Sequence, residues 1–184
     1  MSIFSEWELF YKERYKDWNG KVQFEGSGER LRRLTDELCW PMEKINKEVE
    51  KAFKSVFPDP FDEMLVGGPT NVWTLCPHHL LPVRFLVWIG YIPTEGVLGL
   101  SKFSRVAIAL ARRPIMQEQY SRELADSFEG HLKPEGLGIH VVGNHGCIGC
   151  RGVNQQIDIK TTVLRGSFKN DPVVREEFYR NIKE

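Results

Sequence analysis

The spacing of apolar and polar positions divides the chain into a helical first third and a β-rich remainder. Residues 4–18 set Phe4, Trp7, Leu9, Phe10 and Tyr15 among charges, which predicts an amphipathic helix ending at Asn19-Gly20. A second helical region is predicted from about Gly28 to Phe57, broken or restarted at Pro41. Within it Ile45, Val49, Ala52, Phe53 and Val56 recur at three-and-four spacing, giving one apolar stripe opposite a solvated Lys/Glu face. Pro58-Asp59-Pro60 ends the helical part.

From Asp62 the texture changes to β. Met64-Leu65-Val66 and Val72-Trp73-Thr74-Leu75 read as strands on either side of a Gly67-Gly68-Pro69 break, and residues 83–92 form a strong strand that Pro93 stops. Two helices follow, one from Ser101 to Ala111, closed by Arg112-Arg113-Pro114, and one over Met116–Leu132. Strands at 137–144 and 157–168 come next, then a last helix with Asp171 as N-cap and Pro172 in its first position. The expected architecture is α+β: an N-terminal helical region over residues 1–60, then an antiparallel-sheet domain over 61–184 with paired helices on one face. The other face needs a cover, and oligomerisation supplies one.

Composition narrows the function classes. With 25 basic and 25 acidic residues the chain is not a dedicated nucleic-acid binder, so any anion site must be local. No apolar run approaches a membrane span. The first residues lack the basic start and apolar core of a signal peptide, so a cytoplasmic protein with reduced cysteines is expected. There, clustered Cys and His indicate metal or catalysis rather than disulfides. Cys39, between Leu38 and Trp40, is expected to be a buried small hydrophobe.

Two stretches carry the chemistry: Cys76-Pro77-His78-His79, and Asn144 through Gly152, which contains His145, Cys147, Cys150 and Arg151. Thiolates and imidazoles are the donors that tetrahedral Zn²⁺ prefers. Four ligands would close the shell and make the metal structural, whereas three leave a position for water. If the strand at 137–144 continues through the second motif, His145, Cys147 and Arg151 share one face and Cys150 points away, which favours Cys76, His79 and Cys147. A bulge at Gly146 or Gly149 would restore four.

Elsewhere, Ser101 as N-cap ahead of Lys102 and Arg105 would make a phosphate site from free N–H groups, the helix dipole and two cations. Gln117-Glu118 opens the next helix, and a carboxylate there can accept two parallel bonds from the N1–H and 2-amino group of guanine. Each feature alone is also explained as ordinary solvated surface.

Taken in order, Cys-x-His-His, Gly-Leu-Ser-Lys-x-x-Arg, Ala-Arg-Arg-Pro-x-x-Gln-Glu, His-x-Cys-x-x-x-Arg-Gly and Asp-Pro-x-x-Arg-Glu-Glu-Phe resemble the GTP cyclohydrolase I family over residues 62–184. The resemblance implies a tunnelling fold (T-fold), pentameric rings stacked into a homo-decamer, active sites at subunit interfaces, and GTP as substrate. It implies zinc on Cys76, His79 and Cys147, an acid/base pair of His78 and His145, and a guanine anchor of Glu118 with Gln117. Ser101, Lys102, Arg105 and Arg151 then resemble triphosphate or ribose contacts. The implied reaction opens the guanine imidazole ring, releases formate and closes to 7,8-dihydroneopterin triphosphate. Two features depart from the family: Pro77 replaces a glutamate, and the upstream Thr-Pro-x-Arg-Val-Ala segment has no counterpart in residues 1–60. Three rivals stand beside this reading. One is a relative that takes another guanine nucleotide or stops at the formamide. Another is a T-fold nitrile reductase, whose Glu-Ser-Lys-type motif is absent here. The third is a non-enzymatic module with a closed Cys₃His zinc site.

Overall fold

In the computed structural model, which describes residues 2–183, two apolar stripes and four long alternating runs decide the architecture. In chain order the helices and strands are α1 (Ile3–Arg14), α2 (Ser27–Leu38), α3 (Met42–Phe53), β1 (Val56–Phe57), β2 (Leu65–Leu75), β3 (Pro82–Ile92), β4 (Val97–Leu98), α4 (Ser101–Leu110), α5 (Gln117–Leu132), β5 (Gly136–His145), α6 (Gly146–Gly149), β6 (Asp158–Gly166), α7 (Ser167–Asn170) and α8 (Pro172–Asn181). They form two compact units, residues 1–40 and residues 41–184. The helix α3, grouped by sequence with the N-terminal helices, therefore belongs with the sheet.

In the first unit α1 stops at Arg14, short of the expected Asn19, and a tight helical turn occupies Asn19–Phe24. None of the α1 side chains is buried. Its aromatic positions instead cluster with one another, Tyr11 and Tyr15 both stacking on Phe24 at 5.7 and 5.8 Å between ring centres. Cys39 is half-buried rather than buried, and what burial it has pushes its thiol pKa up.

In the second unit the α3 stripe buries Ile45, Val49, Ala52 and Phe53 as its spacing predicts. Val56 does not continue it. The residue before Pro58 is pushed to extended backbone, and Val56–Phe57 leave the helix to pair with Leu98 and Val97. The main sheet is antiparallel in the order β2-β3-β5-β6. Gly67-Gly68-Pro69 does not break β2; the strand runs through, with a register shift between Gly67 and Thr70 that absorbs the proline.

One sheet face presents Val83, Phe85, Val87, Ile89 and Tyr91 of β3 and Leu137, Ile139 and Val141 of β5, all buried. Against it pack α4, through Phe103, Val106 and Leu110, and α5, through Tyr120, Leu124 and Phe128. The rings of Phe85 and Tyr120 stack at 5.1 Å, and the Tyr120 hydroxyl donates to the Ala107 carbonyl at 2.8 Å. Each large apolar side chain buried here contributes about 1.5–3 kcal/mol. On the opposite face Trp88 and Ile92 are covered by Phe168 of α7, Phe178 of α8 and Ile182 just after it. Part of the cover expected from oligomerisation thus comes from the chain's own C-terminal helices. The four-stranded antiparallel sheet, with its helix pair inserted between β3 and β5, is the tunnelling-fold unit. Among the described residues no helix is long and apolar enough to cross a membrane.

Candidate active site

The site is built where β2 turns into β3 and where β5 ends. Cys76 closes a tight loop in which its N–H donates to the Leu81 carbonyl at 2.9 Å and its own carbonyl accepts from Leu80 N–H at 2.8 Å. Leu80 takes a left-handed backbone (φ 53°) to make that turn. The loop between α4 and α5 braces β2 from the side. Thr74 Oγ1 donates to the Arg113 carbonyl at 2.6 Å, and Ile115 N–H donates to the Leu75 carbonyl at 3.1 Å.

Register places Val83 opposite His145, so the end of β5 lies beside that loop. There the strand stops. Residues Gly146–Gly149 form a helical turn, α6, so the strand-parity premise for Cys147, Cys150 and Arg151 fails. A Cβ at Gly146 would lie 2.7 Å from the Pro82 carbonyl oxygen; glycine lets the turn press against the start of β3 and swing Cys147 toward Cys76.

The result is one cluster. Ligand atoms of Cys76, His79 and Cys147 all lie within 4.8 Å of one another. His79 Nδ1 is 3.7 Å from Cys76 Sγ. Zinc bonds of about 2.3 Å to sulfur and about 2.0–2.1 Å to nitrogen at tetrahedral angles set ligand atoms about 3.5–3.8 Å apart. Two thiolates and an imidazole in this geometry fit that ion. Cys150 is exposed and is not a member of the group. Burial, and then the neighbouring Cys76, push the Cys147 thiol pKa up; the thiol loses its proton readily only when a cation takes its place. Arg151 donates to His79 Nε2 at 2.7 Å, on the ring edge away from the sulfur. His78 is exposed beside the cluster, with Nδ1 3.8 Å from Cys76 Sγ.

His145 is held from behind. Its Nε2 lies 2.8 Å from Gln117 Oε1. Gln117, only 2 % exposed, donates from its amide nitrogen toward the carbonyls of Val141 (3.2 Å) and Ile159 (2.9 Å) and Thr161 Oγ1 (3.2 Å). Backbone carbonyls only accept, so the amide cannot be flipped and its oxygen must face the imidazole. His145 therefore carries a proton on Nε2 and leaves Nδ1 as its exchangeable atom. Burial lowers the His145 pKa, partly opposed by the Glu118 carboxylate. A Cβ at Gly143 would lie 2.0 Å from Gln117 Oε1, so this strand glycine is what admits the amide.

Gln117 was expected to face substrate with Glu118; its side chain is instead consumed within the fold, and Glu118 alone of the pair is exposed. Sequence offered no signal for this use of Gln117 beyond a glycine inside a strand. Ser101, Lys102 and Arg105 lie in the N-terminal half of α4. Ser101 is the first residue of α4 rather than its cap, because Leu100 in the preceding position already has helical backbone. At about 1.5 Å per residue the ten residues of α4 span about 15 Å, and its C-terminal end leads into the loop bonded to Thr74 and Leu75.

Fold and site together define an α+β protein with a thiolate–imidazole centre of the kind that metal-assisted hydrolases use. A profile of the GTP cyclohydrolase I family matches residues 19–183, and the chain belongs to that family. It is 30% identical over 178 residues to the GTP cyclohydrolase 1 of Helicobacter pylori (strain P12), covering 96% of this chain and 99% of that one. It is 37% identical over 153 residues to that of Dictyostelium discoideum, covering 82% of this chain and 66% of the longer relative. Among solved structures it is similar to an archaeosine synthase QueF-Like in the apo form, at 17% identity and a TM-score of 0.44, over 59% of this chain and 96% of that one.

Proposed function

We propose that the chain hydrolyses GTP, opening the guanine imidazole ring with release of formate and giving 7,8-dihydroneopterin triphosphate. The observation that carries this is the Cys76–His79–Cys147 cluster standing beside a histidine whose tautomer is fixed from within the fold. Those three residues would hold zinc. A zinc ion bound there would supply the Lewis acidity that lowers the pKa of a water into the neutral range.

The chain's own groups do the rest. His145, neutral because it is half-buried and with Nε2 committed to Gln117, takes and returns a proton at Nδ1 as the ring C–N bond opens. His78, beside ligand His79, serves the second proton. Glu118 accepts from guanine N1–H and the 2-amino group; a base lacking that pair leaves a carboxylate unmatched, which costs about 1–3 kcal/mol or more. When His79 gives Nδ1 to a cation its ring proton must sit on Nε2, and Arg151 is then a free guanidinium for ribose or phosphate oxygens.

Ser101, Lys102 and Arg105 lie in the N-terminal half of α4, whose other end leads to the loop bonded to Thr74 and Leu75 ahead of Cys76. In their proposed role as the triphosphate site they serve the cluster of a neighbouring subunit. A homo-oligomer, five subunits to a ring and two rings to a decamer, provides that neighbour. The test is incubation of the zinc-loaded chain with GTP, following formate and pterin fluorescence together. Formate and pterin in equal amounts are expected. No formate above the blank at one zinc per chain overturns the reading, and ring opening without formate places the end of the reaction at the formamide.

A further inference from the structure

Cys150 has no part in the chemistry just described, yet it lies in the same helical turn as a proposed ligand. Its N–H donates to the Gly146 carbonyl at 3.0 Å, which closes one α-helical turn around Cys147. Helix geometry sets Cα atoms three residues apart at about 5 Å, inside the roughly 4.4–6.8 Å range of disulfides. Side-chain rotation and a small backbone shift that draws the two Cβ atoms together join the sulfurs. Residues 150–158 that follow are all exposed, so little packing resists the small adjustments a bridge needs. The three thiols of this region are graded in access: Cys150 is exposed, Cys147 half-buried and Cys76 buried.

We propose that Cys147 and Cys150 form a redox-sensitive pair through which a hydroperoxide takes a ligand away from the metal site; this rests on the zinc-site reading above. Cys150, accessible and unligated, reacts first. Its thiolate attacks a peroxide oxygen, the O–O bond breaks, and Cys150 becomes a sulfenic acid as the first water leaves. The Cys147 sulfur then attacks Cys150 Sγ, the S–S bond forms and the hydroxyl leaves as the second water. Two thiols and one hydrogen peroxide thus become one disulfide and two waters. Cys147 no longer offers a thiolate, and Cys76 with His79 is too small a donor set to keep the ion. A dithiol reductant returns both thiols and lets the metal rebind.

The competing outcome is a bridge between Cys76 and Cys147, whose sulfurs also lie within 4.8 Å of each other. The test uses the full chain loaded with one zinc and titrated with hydrogen peroxide. A chelating dye reads the metal, and alkylation with peptide mapping reads the crosslink. The wild-type chain is expected to release its zinc as the Cys147–Cys150 bridge appears, and to recover it after reduction. Cys150→Ser should bind zinc normally and release it at least about ten-fold more slowly, because its remaining thiols are less accessible. Equal release rates in the two proteins, or a bridge between Cys76 and Cys147 in the wild type, overturn the inference while leaving the zinc site standing. A chain that takes up no zinc at all overturns both.

Discussion

The two ends of α4 are made very differently. Its C-terminal end leads into a turn whose Arg113 carbonyl and Ile115 N–H are bonded to Thr74 and Leu75, directly before Cys76. Its N-terminal end carries Ser101, Lys102 and Arg105 with no acidic group in the first turn and no side-chain cap. At one end, backbone bonds hold Cys76 and the turn before Cys150, and Arg151 holds His79, all within one chain. At the other, the helix start adds the cations Lys102 and Arg105 to the positive end of the helix dipole. In the proposed reading the first is the chemical half of a site and the second an anion-binding half that a second copy would bring to it.

The contrast breaks most severely at the metal cluster. Cys147→Ala removes one of three donors. Since losing even an outer partner of a metal site costs about 10–100-fold in affinity, zinc binding should weaken well beyond that and formate release from GTP should vanish. Chelator competition reads the first effect. Full zinc content in this variant would show that Cys150 or His78 belongs to the donor set.

Next in size is His145→Ala, which should lower kcat by roughly 10²–10⁴-fold while zinc content by atomic absorption stays at one per chain. Metal loss would make His145 a ligand, and near-normal formate release a bystander. Glu118→Gln should likewise cripple turnover of GTP with zinc retained. Equal turnover of GTP and ATP by the wild-type chain would contradict its assignment as guanine anchor.

Gln117→Leu acts one step further back. It leaves the Ile159 carbonyl and His145 Nε2 without their partner, which should cost about 1–3 kcal/mol of stability. It should also lower kcat by less than His145→Ala does. A thermal melt and a kcat measurement together separate this from a purely structural residue, whose loss would lower stability alone.

The smallest effect concerns protonation. Burial lowers the His145 pKa and the Glu118 carboxylate partly opposes it, so the neutral imidazole persists to lower pH than an exposed one. Removing that negative charge in Glu118→Gln should lower the His145 pKa further, as read by NMR titration of the ring. An upward move would mean that the carboxylate does not face the imidazole.

Much of the fold is written in the chain's periodicity. Residues 83–92 are an almost continuous apolar run, and the strand they form is buried on both faces, with Val83, Phe85, Val87, Ile89 and Tyr91 on the helix-covered one; Asp171 caps α8 with its side chain as its position predicts. What periodicity misses is set by tertiary contact. Gly146-Cys147-Ile148-Gly149 has two glycines and no helical propensity, yet it coils because the end of β5 is pressed against Pro82. Parity therefore gave the wrong local structure for Cys147, and proximity to Cys76 comes from a turn. Gly67-Gly68-Pro69 reads as a break because each residue disfavours a strand, but a register shift in β2 accommodates all three. The tether between Gln117 and His145 joins residues 28 apart in sequence, and only the fold brings them together.

The claim that one chain supplies the metal cluster and another the cationic helix start is tested most directly by mixing. Cys76→Ser and Lys102→Glu should each be inactive alone, the first lacking a metal ligand and the second its phosphate contact. Refolded together in equal amounts, with assembly checked by light scattering, about a quarter of the shared sites should receive an intact cluster from one copy and an intact α4 from its neighbour. The account predicts recovery of about that fraction of wild-type formate release. Co-assembled oligomers that stay inactive, or a Lys102→Glu chain that works unaided, would contradict it.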